Sequence, residues 1–293
     1  SIELIKDTIN MGLNVSIETN GTMITESQIK ELSQYKDNLS MSISLDGITS
    51  ETNNLTRGNG SFEKTFNTIK TIKKYNIPLR IITVLSDNNY DEIPKLAKTI
   101  HEELGLGFRL LPNIIEYGKG VTANDEYGVS YPKIKKLMDD FYYDFLRKHA
   151  EDENLTIELN MAIIPIDIYR HSFCPWGKAM LGIGYSGNVA LCHVASDNDM
   201  FIFDNVKNNK ISDIWKYNKK LLKFVNENPD DLKGVCGNCL ARSLCRGGCR
   251  LHAMSKYLGD FYAPDPDCQK VYDIGMFPEY ALDDVEKVCN YEK

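Results

Sequence analysis

The chain has 293 residues, 42% of them hydrophobic, and a formal net charge of −7. That is enough apolar material for one large domain or two smaller ones without disulfide staples. The negative balance excludes a broad basic face for nucleic acid, and no run of about 18 apolar residues exists to span a membrane.

Residues 1–12 (SIELIKDTINMG) form an amphipathic stretch with acidic and basic residues intermixed. It lacks the basic and apolar regions of a signal peptide. Because the first residue is not Met, the chain reads as a fragment of a longer protein. Residues 13–17 (LNVSI) are a short strand ending in the turn ETNGT. Residues 25–35 are helical, with Ile29 and Leu32 as the apolar stripe and Thr25 with Gln28 as a capping box. Residues 39–45 (LSMSISL) alternate with period two and turn at Asp46-Gly47. The spacing of Phe62, Phe66, Ile69 and Ile72 predicts a helix over 61–75. Residues 78–85 (PLRIITVL) form a buried strand. Ile93, Leu96, Ile100 and Leu104 predict a helix over 91–104, stopped by Gly105, and 108–111 starts another strand. Strands separated by helices of this length need parallel crossovers, hence an α/β sheet or barrel.

In such folds ligands sit at the carboxyl ends of the strands. The polar residues there are Thr19, Asn20 and Gly21, then Ser44, Asp46 and Gly47, then Ser86, Asp87 and Asn88. Asn-Gly and Asp-Gly are also plain turn dipeptides, and only their recurrence at equivalent strand ends favours a binding role. Ile134, Leu137, Met138, Phe141, Phe145 and Leu146 make the apolar side of a helix over 131–150. The polar break at 151–154 divides the chain into domains 1–150 and 151–293. Residues 155–159 (LTIEL) alternate as a strand of the second domain. The run MLGIGYSGNVALC reads as a β-hairpin with Ser186-Gly187-Asn188 at its tip.

Six of the eight cysteines fall in two spaced blocks, and a seventh, Cys268, follows them. The first is C-x12-G-x4-C, formed by Cys174, Gly187 and Cys192. The second is C-x2-C-x5-C-x3-C, formed by Cys236, Cys239, Cys245 and Cys249. Cys268 lies in PDPDC and Cys289 near the end. Thiols in this density are disulfides, zinc ligands or iron–sulfur ligands. Disulfide frameworks belong to small secreted domains, which this chain is not. C-x2-C with C-x3-C resembles a zinc ribbon, so zinc stays open beside iron–sulfur on spacing alone. Arg242, Arg246, Arg250 and Lys256 read as offsetting the charge of metal–thiolate groups. His193 follows Cys192 and His252 lies beyond Cys249. Either can relay a proton or hydrogen-bond near a metal group, and His193 is the catalytic candidate.

The strand ends ETNG and SLDG, the later RGNGSF and the cysteine blocks together resemble the radical S-adenosylmethionine (SAM) enzymes with a SPASM domain. The resemblance spans nearly the whole chain. It implies a partial TIM-like (β/α)6 barrel that binds SAM, followed by a small cysteine-rich domain with two auxiliary [4Fe–4S] clusters. Cys174, Cys192 and Cys249 correspond to ligands of the first cluster. Cys236, Cys239, Cys245 and Cys268 correspond to those of the second. Cys245 and Cys249, one turn apart, are expected to point to different clusters. Some relatives carry a further cysteine where Ile168 stands, so the first cluster is left with an open iron or is closed by Cys289. Thr19, Asn20, Ser44 and Asp46 would line the SAM site, with Arg57 pairing the SAM carboxylate. The family's C-x3-C-x2-C motif, which holds the SAM-reducing cluster, and its Gly-Gly-Glu-Pro motif are absent. The first two βα units are therefore expected upstream of Ser1, and this chain alone is expected to be inactive.

What the resemblance implies for activity is hydrogen abstraction by a 5′-deoxyadenosyl radical from a peptide or protein substrate. A thioether-forming maturase suits an open iron; the anaerobic sulfatase maturases carry Asp where His193 stands. A ferredoxin or flavodoxin would supply electrons. A non-catalytic iron–sulfur or zinc scaffold that binds a peptide is the alternative. Richness in Ile, Asn, Lys and Tyr points to an AT-rich bacterium, the cluster count to an anaerobe, and the lack of a signal peptide to the cytoplasm.

Overall fold

Five strands, β1 (Val15–Thr19), β2 (Leu39–Ser44), β3 (Leu79–Val84), β4 (Gly107–Leu111) and β5 (Leu155–Ile157), form one sheet in the order β1-β2-β3-β4-β5. Every neighbouring pair is parallel, in registers such as Ile17↔Met41, Ile43↔Ile81 and Leu110↔Ile157. Sequential order with parallel neighbours is the arrangement of a βα barrel wall, whereas a doubly wound sheet reverses order at its centre. The computed structural model describes residues 2–112, 114–157 and 174–283. Two units divide these residues, 2–157 in the first and 174–283 in the second. Among the described residues no helix is long and apolar enough to cross a membrane.

β5 corrects the domain boundary. Its residues pair with β4, as in Phe108↔Leu155, so the division falls after this strand and not at residue 150. The polar break at 151–154 is therefore the loop that returns the chain to the sheet.

Local signals account for much of the first unit. Helix Glu26–Leu32 begins at Thr25 with both capping-box bonds present, Gln28 N to Thr25 Oγ1 at 3.3 Å and Thr25 N to Gln28 Oε1 at 2.9 Å. Ile29 and Leu32 are its buried residues. Helix Ser61–Lys74 departs from its apolar pattern. Phe62 and Phe66 are only half-buried and stack on each other at 5.4 Å, while Thr65 and Thr68 are buried. The threonines win that face because each hydroxyl donates to a strand-end carbonyl: Thr65 to Asn20 O at 2.9 Å and Thr68 to Gly21 O at 2.7 Å. Those bonds fix the Asn-Gly turn, where Gly21 has φ +73° and a Cβ would stand 3.3 Å from Ile43. The helices predicted over 91–104 and 131–150 are interrupted. Each passes from an α segment, Ile93–Lys98 and Tyr131–Phe141, into a π turn, Thr99–Glu103 and Tyr142–Leu146.

The carboxyl end of β2 is tied most heavily. Asp46 is 4% exposed. Its Oδ2 accepts from Arg57 Nε at 2.5 Å and Thr56 Oγ1 at 3.2 Å; its Oδ1 accepts from Arg57 Nη2 at 3.1 Å and Val84 N at 2.9 Å. Its backbone receives as much attention. Asn53 Oδ1 accepts from Asp46 N at 2.9 Å, and Asn89 Nδ2 donates to Asp46 O at 2.8 Å. Asn89 also bonds Val84 O and Ser86 N, so two asparagines lock the ends of β2 and β3 together.

Breaking a buried ion pair from one side costs about 3–5 kcal/mol. Asp46→Ala is expected to destabilise the first unit by that order. Urea unfolding followed by far-ultraviolet circular dichroism checks it, and a midpoint equal to that of the parent would show that the pair bears no load.

Candidate iron–sulfur and SAM site

In the second unit, β6 (Gly182–Ile183) and β7 (Asn188–Ala190) form the expected hairpin, and β8 (Ile202–Asn205) adds a third antiparallel strand. The glycine of the first cysteine block is the tip of that hairpin. Gly187 has φ +91°, its N–H donates to Gly184 O at 2.9 Å, and a Cβ there would stand 2.9 Å from Asn205 Oδ1. Cys192 follows β7 after one residue, Leu191. Gly182 lets β6 pass close over it, since a Cβ at that position would meet the Cys192 carbonyl carbon at 2.2 Å.

Between Cys245 and Cys249 the backbone does not run on as one helix. Helix Arg242–Cys245 stops, and Arg246, Gly247 and Gly248 follow with φ of +55°, +75° and +66°. Helix Arg250–Lys256 then begins with Cys249 as its N-cap residue. A continuous helix would set residues i and i+4 on one face. The left-handed run separates the two thiols instead, which replaces the one-turn geometry read from the sequence.

The thiols fall into two sets. Cys236, Cys239, Cys245 and Cys268 line one cavity together with Val235, Gly247 and Asp265. Burial pushes the Cys236 thiol up to about 12 and that of Cys245 to about 11, with the Asp265 carboxylate as a further cause in both. Burial also holds Cys268 well above the ordinary range and raises Cys239. Cys249 belongs to the other set. Its thiol is pushed to about 12 by burial first, and Cys174 and Cys192 are among the charges that raise it further. Cys174 is exposed, Cys192 and Cys249 half-buried. Among the described residues no two cysteines are joined by a disulfide. Cys289 and the position of Ile168 lie outside the described residues.

Several devices hold the four-thiol cavity, and most were not visible in the sequence. Asp265 caps helix Pro266–Asp273, accepting from Asp267 N and Cys268 N, with proline in the first turn. This is the ordinary start signal Asp-Pro, and it orients Cys268. The Asp265 N–H donates to Cys236 Sγ at 3.2 Å. Gln269 Oε1 accepts from Val235 N at 2.9 Å. Arg242 bridges Asp230 at 2.9 Å and Asp283 at 2.8 Å. A last segment closes over the block: Cys239 bridges Leu282, Leu240 N donates to Ala281 O at 2.9 Å, and Asp283 N donates to Asn238 O at 2.8 Å.

The donor set suits an iron–sulfur cluster. Four thiols and no histidine stand around the cavity, and soft thiolates are the ligands such clusters take.

The strand-end candidates are in the first unit. Thr19 is half-buried and accepts from Gly21 N at 3.2 Å; Asn20 is exposed and its Oδ1 accepts from Thr22 N and Oγ1. Ser44 is half-buried at the end of β2. Asp46 differs from its expected role. Its four acceptor positions are filled by protein donors, so it braces the strand end and has no lone pair left for the ribose or amino group of SAM. Arg57 is committed to Asp46 through Nε and Nη2, leaving Nη1 outside the pair. His193 is exposed, with its carbonyl accepting from Ser196 Oγ at 2.8 Å.

Comparison with known proteins agrees with both halves. The family described as Radical SAM superfamily matches residues 1–100, and the SPASM family, an iron–sulfur cluster-binding domain, matches 174–240. The AdoMet-dependent heme synthase of Methanosarcina barkeri is 26% identical over 280 residues, covering 88% of this chain and 74% of that protein. The PqqA peptide cyclase of Rhizobium meliloti is 26% identical over 282 residues, covering 91% and 69%. The solved structure of native anSMEcpe with bound AdoMet and Cp18Cys peptide superposes with a TM-score of 0.67 at 20% identity, over 93% of this chain and 79% of that one. With its sequential parallel strands and its two sets of thiols, the chain carries a radical SAM domain, matched over residues 1–100, and a SPASM iron–sulfur domain, matched over 174–240.

Proposed function

We propose that this chain is the SAM-binding wall and auxiliary-cluster domain of a radical SAM maturase that modifies a peptide or protein. The observation that carries the reading is the four-thiol cavity of Cys236, Cys239, Cys245 and Cys268, with Cys249 set apart beside Cys174 and Cys192. On this reading the first set holds one [4Fe–4S] cluster and the second another. When bound, SAM with its reducing cluster supplies hydrogen-abstracting chemistry, and the auxiliary clusters supply electron acceptance. The chain's own residues bind and orient. Thr19, Asn20 and Ser44 offer small polar groups at adjacent strand ends, Asp46 holds Arg57 in place, and Arg57 Nη1 is the group placed to meet a carboxylate. Exposed His193, next to Cys192, is the candidate to pass a proton to or from substrate. An external ferredoxin or flavodoxin would deliver electrons.

A peptide substrate is supported by the names of the cyclase relative and of the peptide-bound structural neighbour. The heme synthase relative defines the contrary outcome. Peptide modification is tested by incubating the longest protein from the same gene with SAM, reductant and either precursor peptides or tetrapyrroles. Product mass changes confined to the tetrapyrrole would overturn the peptide reading.

Three further outcomes are expected. Anaerobically loaded protein carries iron and sulfide for two clusters; about two zinc per chain without sulfide would overturn the assignment. No cysteine precedes Cys174, so residues 1–293 alone, reduced in the presence of SAM, release no 5′-deoxyadenosine above background. Cys245→Ala removes one paramagnetic signal and Cys249→Ala the other. Loss of the same signal in both would place these two cysteines on one cluster.

A further inference from the structure

The second cysteine block carries four cations, and three of them have plain accounts. Arg242 pairs with Asp230 and Asp283. Arg246 lies 3.8 Å from the centroid of Trp176 and donates to Val225 O at 3.0 Å. Lys256 is exposed. Arg250 differs. It is 1% exposed and heads the fully buried side chains by volume. Its Nη1 donates to Phe261 O at 2.7 Å and Ala263 O at 2.8 Å, and its Nη2 donates to Gly247 O. Among the described residues its Nε has no hydrogen-bond partner. Every acceptor the structure gives this guanidinium is a neutral carbonyl, yet a buried charge without a countercharge is strongly unfavourable.

The countercharge lies on the other side of one glycine. Gly247 lines the four-thiol cavity, and a Cβ there would stand 2.5 Å from Arg250 Nη2 and 2.8 Å from Cζ. The cavity also holds Asp265, so with thiolates and a cluster in place it is strongly negative. We propose that Arg250 is the buried counter-cation of the cluster held by Cys236, Cys239, Cys245 and Cys268, a positioning residue that sets that cluster's reduction potential. The inference rests on the iron–sulfur reading above. A cluster gains negative charge on reduction, so a fixed cation at close range favours the reduced form.

The test uses the anaerobically loaded chain as wild type, Arg250→Lys and Arg250→Gln, titrated with a reductant and redox mediators under electron paramagnetic resonance. The second signal is identified as the one lost in Cys245→Ala. Arg250→Gln is expected to disfavour its reduction at least tenfold, about 59 mV for a one-electron couple. Arg250→Lys retains most of the wild-type potential. Identical midpoints in all three proteins, or equal shifts in Lys and Gln, would overturn the proposal and leave Arg250 as a clamp on three carbonyls. If the Gln variant loses the second cluster, iron and sulfide content decides: retention in Lys supports the counter-cation, and equal loss overturns it. Wild-type protein that takes up zinc without sulfide removes the cluster reading itself, and this inference with it.

Discussion

Arg246, Gly247 and Gly248 all adopt positive φ, and the cysteine-rich unit depends on that run. L-residues pay a steric cost in the left-handed region and glycine does not. Two of the three are glycine; the third, Arg246, is held there by its stack on Trp176 and its bond to Val225 O. The turn does two things at once. It carries Cys245 into the four-thiol cavity and Cys249 toward Cys174 and Cys192, and it makes the thin wall through which Arg250 faces the thiols. Metal chemistry in this unit is thus arranged by backbone conformation before any metal arrives.

The first unit solves a different problem. A parallel sheet gathers its strand ends on one side, and loops there must be both open to a ligand and fixed. Fixing is done by short polar side chains that reach across to backbone. Thr65 and Thr68 hold the turn after β1, Asn53 and Asn89 hold the ends of β2 and β3, and Asp46 draws Arg57 and Val84 together. The cost is that residues which look like ligands are partly spent on architecture. Asp46 is the plainest case.

Legibility in the sequence followed the range of the interaction. The capping box of Thr25 and Gln28, the hairpin tip at Gly187 and the alternation of β2 are decided within a few residues, and each was readable. The five strands of the sheet were readable as apolar runs, although β1 is shifted by two residues. What depended on distant partners was not. Phe62 and Phe66 have the spacing of a core stripe, but Thr65 and Thr68 hold the inner face because carbonyls far away in sequence await them. The strand 155–159 carries no mark of which unit it joins; its pairing with β4 decides that. β8 is short and mixed in polarity and was missed. The grouping of seven thiols was legible only through resemblance, because spacing cannot say which way a turn faces. Four cations near the thiols look alike in the sequence, and only burial singles out Arg250.

The segment that closes over the second block, with Ala281, Leu282 and Asp283 against Leu240, Cys239 and Asn238, has a consequence for the order of assembly. A chain emerging from the ribosome presents its amino-terminal side first. Cys174, Cys192 and Cys249 are all present in the growing chain before Cys268 has been made. The four-thiol set must wait for Cys268, and its cover must wait for Asp283. During that interval Cys236, Cys239 and Cys245 exist as an incomplete triad without a roof. The nascent protein therefore passes through a stage at which Cys174, Cys192 and Cys249 are all present while the other set still lacks Cys268 and the segment that pairs with Cys239, so the vulnerable period of the second set is written into the direction of synthesis.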